Sequence, residues 1–265
     1  MEIFDILLST ILLRPYVFLL LGLYLVAGSF QLGLKRILAF TILSYFIAFI
    51  SEYASTRIGI PYGLYHYTGA THGKELFISN VPFMDSLSYS FLGYFSYSLA
   101  LLIVSPVTRK GWRFELSHPP WYSKKVLFLT SILFVLQDVL IDPVSLRGSR
   151  WFLGQIYYYP VEGIYFGVTL SNFLGWFLVG LAIIYSFQKL DYKMGWSREF
   201  AGNALMGPIL YFLNMVFILS VTFYIGEYFI GMISLSIFSG LIILTILKVR
   251  RALSISAKSL KPIHI

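Results

Sequence analysis

Residues 205–247 read LMGPILYFLNMVFILSVTFYIGEYFIGMISLSIFSGLIILTIL, two apolar runs of about 20 residues on either side of a short Ile-Gly-Glu connection. Each run is long enough to cross the hydrocarbon core of a bilayer as an α-helix. Glu227 is the one acidic or basic residue in this stretch, and it falls between the two runs. The stretch therefore predicts two transmembrane helices joined by a tight turn.

The same pattern recurs along the rest of the chain. Of the 265 residues, 58% are hydrophobic and only 12% are charged, whereas about 25% of the residues of a soluble domain are charged. This composition excludes a soluble globular protein and a disordered one. We predict an all-α polytopic membrane helix bundle that forms one integral-membrane domain over residues 1–265. The seven predicted spans are 14–30, 37–55, 83–105, 126–141, 164–187, 205–224 and 228–247.

The segment before the first span is apolar but too short to cross a membrane by itself. Glu2 and Asp5 stand where a cleaved signal peptide has basic residues. We expect residues 1–13 to lie at the membrane interface or to lead into the first span.

The net charge of +8 is explained by the orientation of the chain. With seven spans, one side of the membrane carries 15 basic and three acidic residues, and the other carries five basic and nine acidic residues. Lys and Arg are enriched in cytoplasmic loops, so we predict a multi-pass cell membrane protein with its N-terminus outside and its C-terminus in the cytoplasm. The basic residues form no nucleic-acid-binding pattern, and the expected macromolecular environment is the lipid bilayer.

Ionisable side chains inside the spans mark a candidate site, because a charge in a membrane is costly unless it has a function or a partner. Glu52 lies about one turn from the outer end of span two. Asp138 and Asp142 are four residues apart and share one face of span four, and Pro143 is expected to end that helix. Asp142 at this end is either a site residue or a polar helix terminus.

Two further polar residues lie at the same outer depth. Asp85 opens span three and is either a helix N-cap or part of the site. Asn172 is placed about 12 Å beyond the start of span five. There it either forms a hydrogen bond between helices or binds the substrate. Small residues at helical spacing in span three, Ser86, Ser90 and Gly93, predict close helix packing.

The outer loop 56–82 is dense in Gly, Pro and Tyr, which predicts an ordered loop that folds into the mouth of the bundle. His66, His72 and Glu75 occur in it, but their spacing matches no zinc pattern, and no metal is expected. Trp residues near predicted helix ends, Trp151 among them, are typical of an interfacial aromatic belt.

Five motifs together resemble a known family, and they occur in its order over about residues 45–185. They are SEY (51–53), GIPYGLYHYT (59–68), NVP (80–82), LIDPV (140–144) and GVTLSNFLGW (167–176). This combination is similar to integral-membrane carotenoid biosynthesis proteins, the group that includes bisanhydrobacterioruberin hydratase and carotenoid 1,2-hydratase. The resemblance implies addition of water to the terminal carbon–carbon double bond of an acyclic carotenoid.

The residues fit this chemistry. Hydration of an unactivated alkene needs a strong general acid, a group that orients water and a surface that stabilises a tertiary cation. We assign the catalytic roles to Glu52, Asp138 and Asp142. The substrate-binding residues are expected to be Tyr65, Tyr67, Asp85, Asn172 and Trp176, whose aromatic members offer π-faces to the cation. No nicotinamide, flavin or P-loop signature occurs in the sequence, so no cofactor is expected, and the partner is a lipophilic carotenoid.

Two other functions remain open. Asp138 and Asp142 resemble half of the Asp-rich Mg²⁺ site of a terpenoid cyclase or prenyltransferase, although no second Asp cluster occurs in the sequence. Alternatively, a transporter or binding protein uses intramembrane carboxylates for a proton or cation, but inverted repeats are not evident.

Overall fold

The computed structural model describes residues 3–196 and 202–259. The helices in these two ranges are α1 (Ile3–Leu13), α2 (Pro15–Leu32), α3 (Leu34–Ile58), α4 (Phe83–Val104), α5 (Lys124–Ser145), α6 (Leu170–Met194), α7 (Met206–Tyr224) and α8 (Tyr228–Ser259). Within the described residues, the seven helices α2 to α8 are long and apolar enough to cross a membrane. This confirms the predicted all-α polytopic bundle and shows a multi-pass membrane protein.

Helix α4 is the central helix of the bundle. It packs against α2, α3, α5 and α7, and 78% of the residues in its most apolar 18-residue stretch are buried. Ser86 and Ser90 are fully buried, and a Cβ atom added at Gly93 would lie 3.3 Å from Cζ of Phe40 in α3. The predicted close packing along this helix is confirmed, because small side chains let the neighbouring backbones approach.

The bundle has two chemically different ends. Helix order places Arg14 and the connections 59–82, 146–169 and 225–227 at one end, called here the loop end. The opposite end, called here the basic end, has the connections around Gly33 and at 105–123 and 195–205. Of the charges used in the orientation argument, Glu2, Arg198, Glu199, Lys261 and the side chain of Lys258 lie outside the described residues.

Short antiparallel strand pairs order both ends. At the loop end, β1 (His66–Tyr67) pairs with β6 (Tyr157–Tyr158), and β2 (Phe77–Ile78) pairs with β3 (Val81–Pro82). At the basic end, β4 (Val107–Lys110) pairs with β5 (Arg113–Leu116). The β1–β6 pair joins the two long loops of the loop end. Residues 56–82 are thus ordered at the mouth of the bundle, as their Gly-, Pro- and Tyr-rich composition predicts, whereas their pairing with the second loop was not predicted.

Two predicted helix boundaries at the loop end are wrong and affect the site. Pro143 does not end α5, which continues to Ser145; proline in the last turn removes only one backbone donor, and the N–H of Leu146 still bonds to Asp142 O at 3.1 Å. Helix α6 begins at Leu170 and not at residue 164, because Tyr165 and Val168 form a bridged turn with Phe166 and Gly167 at positive φ. Asn172 therefore lies in the first turn of α6 instead of about 12 Å inside the span.

Candidate active site

A cavity of about 160 Å³ lies at the loop end, between helices α2 to α7 and the covering loops. Seven of the eight site residues predicted from the sequence line it: Glu52, Tyr65, Tyr67, Asp85, Asp142, Asn172 and Trp176. The eighth, Asp138, does not line the cavity and is connected to it through Asn172. The structure thus brings the predicted residues to one place, and their catalytic and binding roles stay predictions.

Two carboxyl groups share one amide donor at the α5–α6 contact. Nδ2 of Asn172 donates to Oδ2 of Asp138 and to Oδ2 of Asp142, both at 2.7 Å. Asp138 is fully buried, and its Oδ1 has no hydrogen-bond partner within the described residues. Asp142 lies in the last turn of α5 and lines the cavity. Asn172 both joins the two helices and contributes to the cavity wall.

Glu52 approaches the cavity from α3 and is bound by hydroxyl groups. Ser86 donates its Oγ hydrogen to Oε2 of Glu52, and the Tyr67 hydroxyl donates to Oε1 at 3.3 Å. The Glu52 residue is 4% exposed. Hydroxyl donors orient this carboxyl group without neutralising it as an ion pair does.

Asp85, in contrast, belongs to a buried ion cluster. Arg14 binds Glu75 through Nε–Oε2 at 2.6 Å and Nη2–Oε1 at 2.9 Å, and its Nη1 binds Asp85. Burial by itself lowers the pKa of Arg14, but the Asp85 and Glu75 carboxylates raise it above its usual value. The N-cap of α4 is Pro82, with Asp85 in the first turn, so the capping role for Asp85 is wrong.

Aromatic rings and aliphatic side chains form the remaining cavity wall. The Trp176 ring stacks on Tyr89 with ring centroids 4.5 Å apart and an interplanar angle of 11°. Burial and the neighbouring Glu52 raise the pKa values of the Tyr65 and Tyr67 hydroxyls well above their usual value. These hydroxyls therefore stay protonated near neutral pH, and that of Tyr67 donates a hydrogen bond to the Glu52 carboxyl group.

Sequence reasoning missed several residues that line the cavity. Tyr157 and Tyr159 reach it because β6 pairs with β1, and the ring centroid of Tyr65 lies 5.9 Å from that of Tyr157 and 6.1 Å from that of Tyr159. The triple Tyr at 157–159 was a signal for this. Trp151 is 4% exposed and lines the cavity, so its assignment to an interfacial belt is wrong. Arg14 was read only as the start of a span, and no local signal paired it with Glu75.

The histidines of the loop do not approach one another as metal ligands do. The His72 ring stacks on Phe77 with centroids 4.1 Å apart, and the His66 ring lies 5.7 Å from that of Tyr158. Across residues 3–196 and 202–259, no three His, Cys, Asp or Glu side chains are grouped as a metal site requires. The expectation that no metal is needed stays a prediction.

Gly175 allows the loop to seat on α6. A Cβ atom at this position would lie 2.5 Å from Cδ1 of Tyr62 and 2.9 Å from the backbone of Pro61. The Tyr62 hydroxyl also bonds to Ser51 Oγ at 2.9 Å, so the loop has little room to move away. The close approach fixes the position of the adjacent Tyr65 and Tyr67.

We expect Gly175→Ala to lower the free energy of unfolding by about 1–3 kcal/mol, because it overpacks this contact. The matched control is Gly22→Ala in α2, where a Cβ atom meets nothing within 4 Å and the change should stay below about 1 kcal/mol. Thermal unfolding of both variants in detergent measures the difference. Equal midpoints for the two variants would contradict the seating of the loop on α6.

The family model described as "Carotenoid biosynthesis protein" matches residues 3–246. The matched range includes all eight predicted site residues. No curated protein and no solved structure matches the chain.

Proposed function

Because the chain belongs to the carotenoid biosynthesis protein family, we propose that it is an enzyme that adds water to the terminal carbon–carbon double bond of an acyclic carotenoid. The observation that carries the proposal is the Asp138–Asn172–Asp142 cluster, two carboxyl groups on one amide donor at the wall of an aromatic cavity. The family match supports a role in carotenoid biosynthesis, and the hydration step is inferred from the side chains.

The charges sort the carboxyl groups by role. Asp85 is paired with Arg14, which favours its carboxylate form, so we do not assign it as the proton donor. Asp138 and Asp142 form no ion pair within the described residues, and two carboxylates that share one donor in an apolar site favour holding a proton between them. Asp142 faces the cavity and is the group that protonates the alkene, with Asp138 as its proton-sharing partner.

The reaction then balances without an oxidant or reductant. Protonation of the less substituted alkene carbon by Asp142 gives a tertiary cation at the other carbon. The Trp176 and Tyr65 rings, which line the cavity, stabilise that cation through their π-faces. Water attacks the cation, and its surplus proton passes to a carboxylate. Glu52, held by the Ser86 and Tyr67 hydroxyls, orients the water and accepts this proton, and the product is a tertiary alcohol. Return of this proton from Glu52 to Asp142, relayed by water, restores both carboxyl groups for the next turnover.

The test is expression in a host that accumulates an acyclic carotenoid, with mass analysis of the pigments. We expect a product heavier by one water, and an unchanged pigment would contradict hydration of that substrate. The Glu52→Gln variant should lower product formation about 10²-fold, the lower limit for the loss of a general acid or base. The matched control is Glu115→Gln in β5, whose partner Lys110 is 73% exposed, and it should keep full activity.

The cyclase or prenyltransferase alternative predicts a different result. Such an enzyme holds Mg²⁺ at its Asp residues and loses activity in EDTA, whereas hydration by Asp142 and Glu52 should be unaffected by EDTA. A transporter would instead give a proton flux in liposomes that responds to Glu52→Gln. Neither result is expected.

The orientation of the chain is part of the proposal. We expect the basic end to face the cytoplasm and the loop end, which holds the cavity, to face the other side. The chain has no cysteine, so Trp112→Cys (93% exposed, basic end) and Val161→Cys (77% exposed, loop end) each introduce one thiol. In intact cells a membrane-impermeant maleimide should label the thiol at 161 and spare the thiol at 112, and the reverse labelling would invert the topology.

A further inference from the structure

The cavity is too small for a whole carotenoid. Its volume of about 160 Å³ is close to that of an engineered cavity of about 150 Å³ that binds benzene. One isoprenoid end group therefore fills it. An extended carotenoid is about as long as a bilayer is thick, roughly 30 Å, so most of the polyene must leave the cavity through one of its walls.

Most walls are unsuited to an apolar chain. Toward the loop end the cavity is covered by the paired strands β1 and β6 and by the buried Arg14, Glu75 and Asp85 cluster. Toward α5 and α6 it is closed by the hydrogen-bonded Asp142 and Asn172. Passage of a hydrocarbon through either wall would break buried polar contacts, which is costly.

The wall between α2 and α7 is different, because it is mostly apolar and a small cluster of aromatic rings lies at its outer side. Tyr16 of α2 and Phe217 of α7 both line the cavity and are both partly exposed. Their rings are stacked with centroids 5.6 Å apart. Phe152 covers them from outside: its ring meets Tyr16 edge-on at 5.1 Å, and it is 47% exposed.

Both helices face the outside of the bundle at this wall. Leu19 in α2 is 62% exposed and Val216 in α7 is 44% exposed, as expected of lipid-facing positions. The segment that carries Phe152 is anchored close by, because Arg150 forms an ion pair with Glu227 in the α7–α8 turn. The cluster of three rings therefore lies between the cavity and the bilayer.

We propose that Tyr16, Phe217 and Phe152 form a lateral binding site through which the polyene of the substrate extends from the cavity into the bilayer between α2 and α7. The inference deepens the proposed function, on which it rests for the class of ligand, a long conjugated hydrocarbon. Flat aromatic rings suit such a chain, since they offer extended apolar contact without unpaired polar groups. Entry requires the Tyr16 and Phe217 rings to separate.

The absence of cysteine from the chain permits a direct test. A Tyr16→Cys/Phe217→Cys variant is linked with a short, reducible bifunctional thiosulfonate, which ties α2 to α7 across the site. Pigment bound by the purified full-length protein is measured by absorbance, before and after the link is reduced. We expect the linked protein to take up at least about tenfold less pigment than the same protein after reduction.

The matched control is Phe212→Cys/Phe238→Cys, which links α7 to α8 at a ring pair with centroids 5.8 Å apart that does not line the cavity. This link should leave pigment uptake unchanged. Equal uptake by the linked and reduced forms of the Tyr16/Phe217 variant would overturn the inference.

A second measurement does not depend on a link. Replacement of Phe217 by the photoreactive benzoylphenylalanine should give a covalent adduct with the polyene on illumination, and the same replacement at Phe238 should give none. Absence of the adduct at position 217 would overturn the lateral site. The linked protein could take up less pigment than the reduced protein while the pigment gains no water in either form. This result would support the lateral site and contradict the proposed hydration. Hydration at full rate by the linked Tyr16→Cys/Phe217→Cys protein would support the proposed hydration and contradict the lateral site.

Discussion

Replacement of Asp142 by Asn is expected to lower the formation of hydrated carotenoid by about 10²–10⁴-fold, the range lost when a general acid is removed. Asp142 faces the cavity and shares the Asn172 amide with Asp138. The carboxamide oxygen of the variant still accepts the Asn172 hydrogen bond, so folding should be retained. It has no acidic proton to give to the alkene. Mass analysis of pigments from cells with equal amounts of the two proteins measures the effect.

Asp138→Asn should also reduce activity strongly, although Asp138 does not line the cavity, because the pair would no longer share a proton. Glu115→Gln is the control, because it removes a carboxylate at the basic end, away from the cavity, and should leave activity unchanged. Full activity in both Asp142→Asn and Asp138→Asn would contradict the assignment of the proton donor. Loss of the protein from the membrane fraction would instead identify the pair as structural.

Replacement of Arg14 by Met is expected to lower the free energy of unfolding by about 3–5 kcal/mol, the cost of breaking a buried ion pair from one side. Arg14 and Glu75 are each 2% exposed, and Arg14 binds both Glu75 and Asp85. The variant leaves two carboxylates in a buried site without their cation. A drop in the thermal unfolding midpoint in detergent, with loss of the monodisperse peak in size-exclusion chromatography, measures the effect.

Removal of the Glu75 carboxylate from the Arg14→Met variant should restore part of the lost stability. Arg14→Met combined with Glu75→Gln leaves one unpaired charge instead of two and should be more stable than Arg14→Met alone. Lys110→Met breaks the exposed Lys110–Glu115 pair at the basic end and should cost no more than about 1 kcal/mol. If Arg14→Met costs no more than Lys110→Met, the buried cluster does not hold α2 to the loop.

The helices could be predicted from the sequence because the signal for each span is local. An apolar run of about 20 residues is sufficient evidence for a spanning helix, and the seven spans are found in the structure with shifted ends. Two helix ends differ from the prediction because one or a few residues are a weak signal for a helix boundary. Pro143 suggested a stop, yet the last turn of α5 tolerates it, and the apolar residues after Ile164 suggested helix where positive-φ residues form a turn.

From the sequence, the candidate site could be predicted only as a set of polar residues at the same depth in the membrane, without their contacts. Glu52, Asp142 and Asn172 stood out because they are polar residues within apolar runs, and the cavity brings them together. Their partners could not be foreseen. Arg14 meets Glu75 across 61 positions of sequence, and Tyr67 meets Tyr157 by strand pairing of two loops. Neither contact has a periodic signal, because each depends on how the loops fold over the bundle.

By itself, the sequence determined the membrane class, the number of spans and the residues whose polarity is out of place in a bilayer. These properties follow from local hydrophobicity and charge, which act on each segment independently. Only the tertiary structure decided which carboxyl groups bind Arg14, which two share the Asn172 amide and which line the cavity. Those distinctions depend on distances of a few ångströms between residues far apart in the chain, over which electrostatic and hydrogen-bonding energies change steeply.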